Sequence, residues 1–303
     1  MRSVLPAALA ALVLCAMQSA RAEEDCRLHI LTTLPLHFLK SGNVAIDAEI
    51  AGHSLRLLVD TGSPDSILTK STADALGFDQ LSVGMESRFS MYGGERLTRY
   101  MHVTDFKFGQ MVAPDALFLV MSDRGDDFNG LLGTDFLSRY DMDFDFAHAK
   151  LNLFEPHPCE GKAVYWTRNE DAIAKIRFDT QTRDPHILVP VEIDGQKMTA
   201  ILDTGASHST MNFEAAERFF DIKEDSPGVR VEKGNRGPVY FYPFKTMTLQ
   251  GVTVNNPKIV LVPRDASKFS DWRALLGISV LRQLHLYIAY RERMIYATAA
   301  DAK

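Results

Sequence analysis

The sequence is poor in cysteine, has no excess of basic residues and, beyond its N-terminus, has no apolar run long enough to span a membrane. Its three cysteines include no C-x-x-C pair and no dense His/Cys cluster, so metal binding and thiol redox chemistry have no candidate groups. Lys and Arg number 33 against 39 Asp and Glu, whereas nucleic-acid-binding proteins present a basic face. We therefore expect no metal, no cofactor and no nucleic acid.

The overall composition is that of an ordinary folded protein. Hydrophobic residues make up 46% of the 303 residues and charged residues 24%, which excludes disorder, collagen and coiled coil. A chain of this length can bury substantial cores and is long enough for two domains.

The long apolar stretch at the N-terminus has the features of a signal peptide. Arg2 supplies the positive start, residues 5–17 are apolar, and residues 20–22 (Ala-Arg-Ala) form an A-x-A cleavage site. We predict a signal peptide over residues 1–22, cleaved after Ala22, with an uncleaved anchor as the alternative. The mature chain is then expected to be exported without stable membrane insertion. The absence of a convincing lipoprotein cysteine favours a bacterial periplasm over secretion.

Export changes the expectation for the two cysteines that remain after cleavage. Cys26 and Cys159 would lie in an oxidising compartment, where thiols can pair. Two unpaired thiols are the alternative, because sequence alone gives no distance between them. The first precedes one half of the mature chain and the second follows it. We predict a disulfide that joins the ends of that half.

An internal repeat divides the mature chain into two copies. Residues 58–63 (Leu-Val-Asp-Thr-Gly-Ser) correspond to residues 201–206 (Ile-Leu-Asp-Thr-Gly-Ala), 143 positions later. A Leu-Leu-Gly triplet at 131–133 returns at 275–277, 144 positions later. Because order and spacing are both kept, the chain contains one domain twice. The predicted boundaries are residues 23–154 for the first copy, 155–161 for a Pro/Gly-containing linker and 162–303 for the second copy.

Each copy has a β pattern. Residues 44–50 alternate in polarity, Gly52 supplies a turn, and residues 55–59 run apolar into Asp-Thr-Gly. Residues 189–202 repeat this arrangement, with Gly195 at the turn. Helical patterns are short throughout. Many short strands with few helices indicate an all-β protein built from barrels or sandwiches.

The two Asp-Thr-Gly triplets are the candidate chemistry. Asp-x-Gly alone is a common turn, and a structural turn is the alternative for each triplet. A pseudo-twofold axis between the copies would instead bring Asp60 and Asp203 together. Two carboxylates about 3 Å apart share a proton, so that one acts as base on a water and the other as acid toward a carbonyl oxygen. A Ser63 hydroxyl beside Asp60 would favour the charged form of that carboxylate.

These motifs resemble those of the retropepsin-like aspartic proteases, with two copies fused in one chain. The resemblance implies two pseudo-symmetric, pepsin-like closed β-barrel lobes with short helices and an active site at their interface. It also implies a water nucleophile, no metal, and an extended peptide bound across the dyad beneath a hairpin flap. Asp60 and Asp203 would be catalytic, Thr61 and Thr204 would interlock beneath them, and Gly62 and Gly205 would offer carbonyls to the substrate. The supporting set also includes Ser63 and Ala206.

The flap and the substrate pockets follow from the same resemblance. Tyr92-Gly93-Gly94 lies at the distance after Asp60 expected of a flap, with a plain hairpin as the alternative. Asp65 and His208 stand five residues after each Asp, where such families line substrate pockets, although a polar surface residue is an equal alternative.

One departure from the family concerns assembly. Retroviral enzymes carry Arg after the late apolar-apolar-Gly motif, but here Thr134-Asp135 and Ile278-Ser279 follow it. The loss suits a fused chain, and we expect a monomer. The sequence thus predicts an exported aspartic endopeptidase acting on extended peptides or proteins. An inactive peptide-binding module of the same fold, or copies that pair between chains, are the alternatives.

Overall fold

The structure is a computed structural model that describes residues 26–301 apart from 85–88, 90, 92–94, 126, 157–158, 160, 162, 182–183, 235–236 and 263–273. Within that part of the chain it contains many short strands and four short α-helices, so the all-β expectation is confirmed. No helix among the described residues is both long and apolar enough to cross a membrane.

The strands and helices follow the repeat. The first copy contains β1 (Ile30–Pro35), β2 (His37–Phe38), β3 (Val44–Ile50), β4 (His53–Val59), β5 (Ile67–Thr69), α1 (Lys70–Leu76), β6 (Gln80–Ser82), β7 (Arg99–Phe108), β8 (Met111–Met121), β9 (Gly130–Leu132), α2 (Thr134–Leu137), β10 (Asp141–Asp145) and β11 (Lys150–Phe154).

The second copy contains β12 (Ala174–Arg177), β13 (Asp179–Gln181), β14 (Asp184–Ile193), β15 (Gln196–Leu202), β16 (Ser209–Asn212), α3 (Phe213–Phe220), β17 (Arg230–Gly234), β18 (Gly237–Phe241), β19 (Thr246–Leu249), β20 (Val252–Asn255), β21 (Ile259–Val262), β22 (Ala274–Leu276), α4 (Ile278–Leu281), β23 (Leu284–Ala289) and β24 (Met294–Ala299). Single 3-10 turns lie at Phe146–His148 and Glu170–Ala172.

The first lobe is a closed barrel. Its strands pair in the order β3, β4, β9, β5, β8 and β7, and β7 returns to β3 through the pair Ile50 and Phe106. Fully buried Phe106 meets Phe118 and Phe136 edge-to-face at 5.1 and 5.2 Å between ring centroids. Such aromatic packing adds to the apolar area that the barrel interior removes from water.

The second lobe keeps the same strand order as a half-barrel sheet. Strands β14, β15, β22, β16 and β21 correspond to the first five strands of the closed barrel. The two long strands of the first lobe are each divided here, with Pro243 between β18 and β19 and Pro257 between β20 and β21. Proline has no N–H to donate to a sheet and favours such interruptions. Two retropepsin-like barrel lobes are therefore confirmed, although only the first is closed, since the second forms a half-barrel sheet.

A third sheet is shared by the two copies. It runs β1, β11, β10, β23, β24 and β12, three strands from each copy. Antiparallel pairing of β10 with β23 joins the halves, for example Phe144 with Leu286. Every residue of β23 is buried. The lobes are thus joined by a continuous hydrogen-bonded sheet as well as by the linker.

The segment after the linker covers one face of this shared sheet. The Trp166 ring stacks on the His285 imidazole, with centroids 4.1 Å apart, and its indole N–H donates to Thr298 Oγ1 at 3.0 Å. His285 Nε2 lies 2.6 Å from Oδ1 of fully buried Asp143, which also accepts from the Tyr165 hydroxyl. The hydrogen bond from Tyr165 to the buried Asp143 carboxylate and the stacking of Trp166 on His285 therefore hold the segment after the linker against strands of both copies.

Cys26 and Cys159 are joined by a disulfide in the structure, with their Cα atoms 5.6 Å apart. The pairing of β1 with β11, with Ile30 opposite Phe154, brings the two ends of the first copy together. The bond closes a loop with a sequence separation of 133 residues.

We predict that Cys26→Ser lowers the free energy of unfolding, because the disulfide restricts the unfolded chain across a long loop, worth about 3–5 kcal/mol in the chain-entropy model. Urea unfolding of the oxidised protein would measure the loss, with Cys26→Ser/Cys159→Ser as the matched control. Thiol counting on the denatured, non-reduced wild type should find no free thiol in the mature chain. Two reactive thiols would contradict the pairing.

Candidate active site

Each Asp of the two triplets is placed by a parallel pair of short strands. Strand β4 ends at Val59, and β9 runs parallel to it with Leu132 opposite Val59. The Asp60 N–H donates to the Leu132 carbonyl at 3.0 Å. The second lobe repeats the bond from Asp203 N–H to the Leu276 carbonyl at 3.0 Å. The Leu-Leu-Gly motifs therefore fix the backbone position of each Asp.

The glycines of those motifs make room for the loops that follow each Asp. A Cβ on Gly133 would lie 2.6 Å from the Asp65 carbonyl, and one on Gly277 would lie 2.5 Å from the His208 carbonyl oxygen. The next residue fixes the loop in turn, since the Ile278 N–H donates to the Ala206 carbonyl at 2.8 Å. Only glycine permits this close approach of two backbones.

The two carboxyl groups meet at the interface between the lobes. A Cβ on Gly62 would lie 2.4 Å from Cγ of Asp203, and one on Gly205 would lie 2.2 Å from Cγ of Asp60. Each carboxyl group therefore rests against the glycine of the other lobe, and the two carboxyl groups are close enough for their charges to interact. The glycine N–H groups donate to the Asp of their own loop, at 2.9 Å to Asp60 Oδ1 and 2.8 Å to Asp203 Oδ1.

Burial and mutual repulsion favour a shared proton. Burial raises the pKa of Asp60 well above its ordinary value, and the charge of Asp203 raises it further. Burial also raises the pKa of Asp203, while backbone N–H donors from Gly205 and Ala206 partly oppose the shift. One carboxyl thus holds a proton where a solvated aspartate would have lost it, and the titration belongs to the pair.

Two buried threonines interlock beneath the dyad. Thr61 N–H donates to Thr204 Oγ1 at 3.1 Å, and Thr204 N–H donates to Thr61 Oγ1 at 3.0 Å. Each hydroxyl then donates across the interface, from Thr61 to the Leu202 carbonyl at 3.0 Å and from Thr204 to the Val59 carbonyl at 2.6 Å. Four reciprocal bonds thus fix the positions of the two loops relative to each other.

The expectation for the Ser63 hydroxyl was wrong. It donates to the Asp65 carbonyl at 2.7 Å and not to a carboxylate, because the turn after Gly62 directs it along its own loop. Ser63 supports Asp60 through its backbone, which lowers the pKa of that carboxyl. Ala206 acts in the same way, with its N–H 3.1 Å from Asp203 Oδ1.

Asp65 and His208 are not equivalent in the structure. Asp65 is half-buried, and burial raises its pKa. Burial also raises the pKa of nearby Asp135, and the charge of Asp65 adds to that shift. His208 is exposed, with Nδ1 2.9 Å from Ser207 Oγ. A pocket role for either residue remains a prediction.

The flap residues Tyr92, Gly93 and Gly94 lie outside the described residues. The chain on either side of them is paired as in a hairpin, since Met91 N–H donates to the Glu95 carbonyl at 2.9 Å. In the second lobe, β17 and β18 form a hairpin through Gly234 and Gly237.

Two polar residues near the dyad carried no recognisable motif in the sequence. Asn43 Nδ2 donates to the Gly205 carbonyl, and the His186 imidazole bonds to the Gly62 backbone. The sequence signal that could have identified them is their equivalent position in the repeat, since each lies 17 residues before the Asp of its own copy. Within the described part of the chain, no cluster of His, Cys, Asp or Glu is arranged to hold a metal ion.

Comparison with known proteins agrees with this geometry. Residues 46–136 match the family model for aspartyl protease, and residues 189–283 match the model for gag-polyprotein putative aspartyl protease. DNA damage-inducible protein 1 of Chaetomium globosum is 31% identical over 110 residues. That stretch covers 35% of this chain and 23% of the relative's length.

A two-lobed β protein with one Asp-Thr-Gly loop in each lobe defines the class of aspartic proteases. The two family matches lie in tandem and together cover more than half of the chain. The chain belongs to the retropepsin-like aspartic proteases, with both aspartyl protease domains in a single polypeptide.

We predict that Gly62→Ala or Gly205→Ala lowers activity by at least about 100-fold, because the new methyl group would displace the carboxyl group of the opposite lobe. Misplacement by about 1 Å costs on the order of 100-fold in rate. Gly84→Ala is the matched control, since a Cβ there meets nothing within 4 Å. Peptide cleavage would be measured for all three variants. A fully active Gly62→Ala enzyme would contradict the close packing.

The raised pKa values of the dyad also predict pH-dependent stability. A carboxyl group whose pKa is higher in the folded state stabilises the fold below the unfolded-state pKa, and this contribution is lost as pH rises through the folded-state pKa. We expect the free energy of unfolding to fall between pH 5 and pH 8, and to fall less in Asp60→Asn. Urea unfolding tests this, with exposed Asp225→Asn as control. A wild-type slope in Asp60→Asn would contradict it.

Proposed function

We propose that this chain is an exported aspartic endopeptidase in which Asp60 and Asp203 activate a water molecule for attack on a peptide carbonyl. The observation that carries the proposal is the pair of half-buried carboxyl groups, one from each lobe, that lie against the glycine of the opposite loop and have raised pKa values. A pair that keeps one proton between two acids contains both a base and an acid at the same place.

The chemistry follows from that single proton. The ionised carboxylate takes a proton from the water as its oxygen bonds to the carbonyl carbon, while the protonated carboxyl gives its proton to the carbonyl oxygen. The tetrahedral intermediate then collapses: the carboxyl group that took the water proton gives it to the amide nitrogen, the C–N bond breaks, and a hydroxyl of the intermediate returns its proton to the other carboxylate. The products are a carboxylic acid and an amine, and the dyad again holds one proton.

The substrate is proposed to be an extended peptide or protein segment between the lobes. An extended backbone binds through its own N–H and carbonyl groups and places alternate side chains in pockets. Gly62 and Gly205 contact the carboxyl groups of the dyad, and their carbonyl groups are suitable acceptors for substrate N–H groups. Asp65, His208 and the segment containing Tyr92, Gly93 and Gly94 are the proposed pocket and flap residues.

Export is proposed from two independent features. The N-terminal 22 residues have the charge, apolar segment and cleavage site of a signal peptide. The disulfide between Cys26 and Cys159 suits an oxidising compartment such as a bacterial periplasm. We propose a monomer, because both Asp residues of the site come from one chain.

We predict that Asp60→Asn and Asp203→Asn each lower turnover by at least about 1000-fold, since an amide neither accepts the proton of the water nor holds the shared proton. The assay is digestion of a denatured protein mixture, followed by sequencing of the new termini. Asp225→Asn is the control for charge removal at an exposed site. Full activity in either dyad variant would contradict the mechanism. A wild type that binds peptides without cutting them would identify a binding module.

A further inference from the structure

Asn43 and His186 occupy equivalent positions in the two lobes. Asn43 immediately precedes β3, and His186 lies near the start of β14. Strand pairing of Ala45 with Leu58, and of Ile187 with Leu202, places both residues beside the ends of the strands that carry the dyad. Neither residue has a part in the chemistry proposed above.

Each of the two side chains reaches the glycine of the opposite lobe. Asn43, only 8% exposed, donates from Nδ2 to the Gly205 carbonyl oxygen. The His186 imidazole bonds to the Gly62 backbone, and since the Gly62 N–H already donates to Asp60 Oδ1, the acceptor of the imidazole N–H is the Gly62 carbonyl oxygen. Burial lowers the pKa of His186, but a neutral imidazole still carries one N–H donor.

The two acceptors are the carbonyl groups that an extended substrate would need. The N–H groups of Gly62 and Gly205 already donate to the carboxylates of their own loops. A carbonyl oxygen has two lone pairs, so a bond from Asn43 or His186 leaves one acceptor position available. A donor that fixes the direction of the carbonyl group before the peptide binds lowers the entropic cost of ordering that group on binding.

We propose that Asn43 and His186 are positioning residues that orient the Gly205 and Gly62 carbonyls toward the backbone N–H groups of the substrate. Each lobe thereby sets the direction of the acceptor that the other lobe presents. The inference rests on the proposed peptidase function. The Gly205 carbonyl is oriented by an amide donor and the Gly62 carbonyl by an imidazole donor. The two halves of the groove therefore use different side chains for the same task.

The first test separates substrate binding from chemistry. Asn43→Ala and His186→Ala are expected to raise KM by about 5–10-fold, the value of one modest hydrogen bond, with kcat changed less than about 2-fold. His186→Asn, which copies the residue of the first lobe, should restore most of the lost binding. Exposed Asn255→Ala and His53→Ala are surface controls. A fall in kcat and melting temperature with unchanged KM would show a merely structural role and overturn the proposal.

The second test links Asn43 to the Gly205 carbonyl directly. Ester substitution along a cleaved peptide removes one backbone N–H donor at a time. At the position that uses Gly205, the ester should raise KM strongly in the wild type and clearly less in Asn43→Ala. Equal ester effects at every position in both enzymes would overturn the inference. A wild type that cleaves no peptide would instead refute the proposed function, so the two failures are distinguishable.

Discussion

The exchange of hydrogen bonds between Thr61 and Thr204 is the constraint on which the site depends. Each threonine accepts from the backbone of the other and donates to a carbonyl in the opposite lobe. Both side chains are buried, so loss of one hydroxyl would leave polar groups unsatisfied at a cost of about 1–3 kcal/mol each. These hydrogen bonds therefore prevent the two loops from moving apart and keep the two carboxyl groups in contact.

The shared sheet and the strands beside each Asp maintain this contact between the two loops. The shared sheet joins β10 to β23, and the segment after the linker binds Asp143 and His285 from opposite copies. The closed barrel and the half-barrel differ in detail, but in both a buried strand ends at the residue before an Asp, and a parallel strand that ends in Leu-Leu lies beside it. The loops that carry the two Asp residues are therefore arranged alike in both copies, whereas the outer strands of the copies differ.

Much of this arrangement could be predicted from the sequence, because the repeat itself locates Asp60, Asp203 and their loops. The shared sheet could not be predicted, since alternation within residues 140–154 shows that a strand forms but not which strand pairs with it. The direction of the Ser63 hydroxyl depends on the turn geometry. Asn43 and His186 differ in residue type, so their common position became meaningful only once both were found bonded to glycines of the opposite lobe.

The central claim is that one chain builds one site from both of its copies. Mixing purified Asp60→Asn and Asp203→Asn proteins tests it most directly, because each variant supplies the Asp that the other lacks. If the site lies within a single chain, every molecule remains defective and the mixture stays inactive, while equally diluted wild type remains active. Recovery of activity on mixing would show that copies pair between chains and would contradict the account.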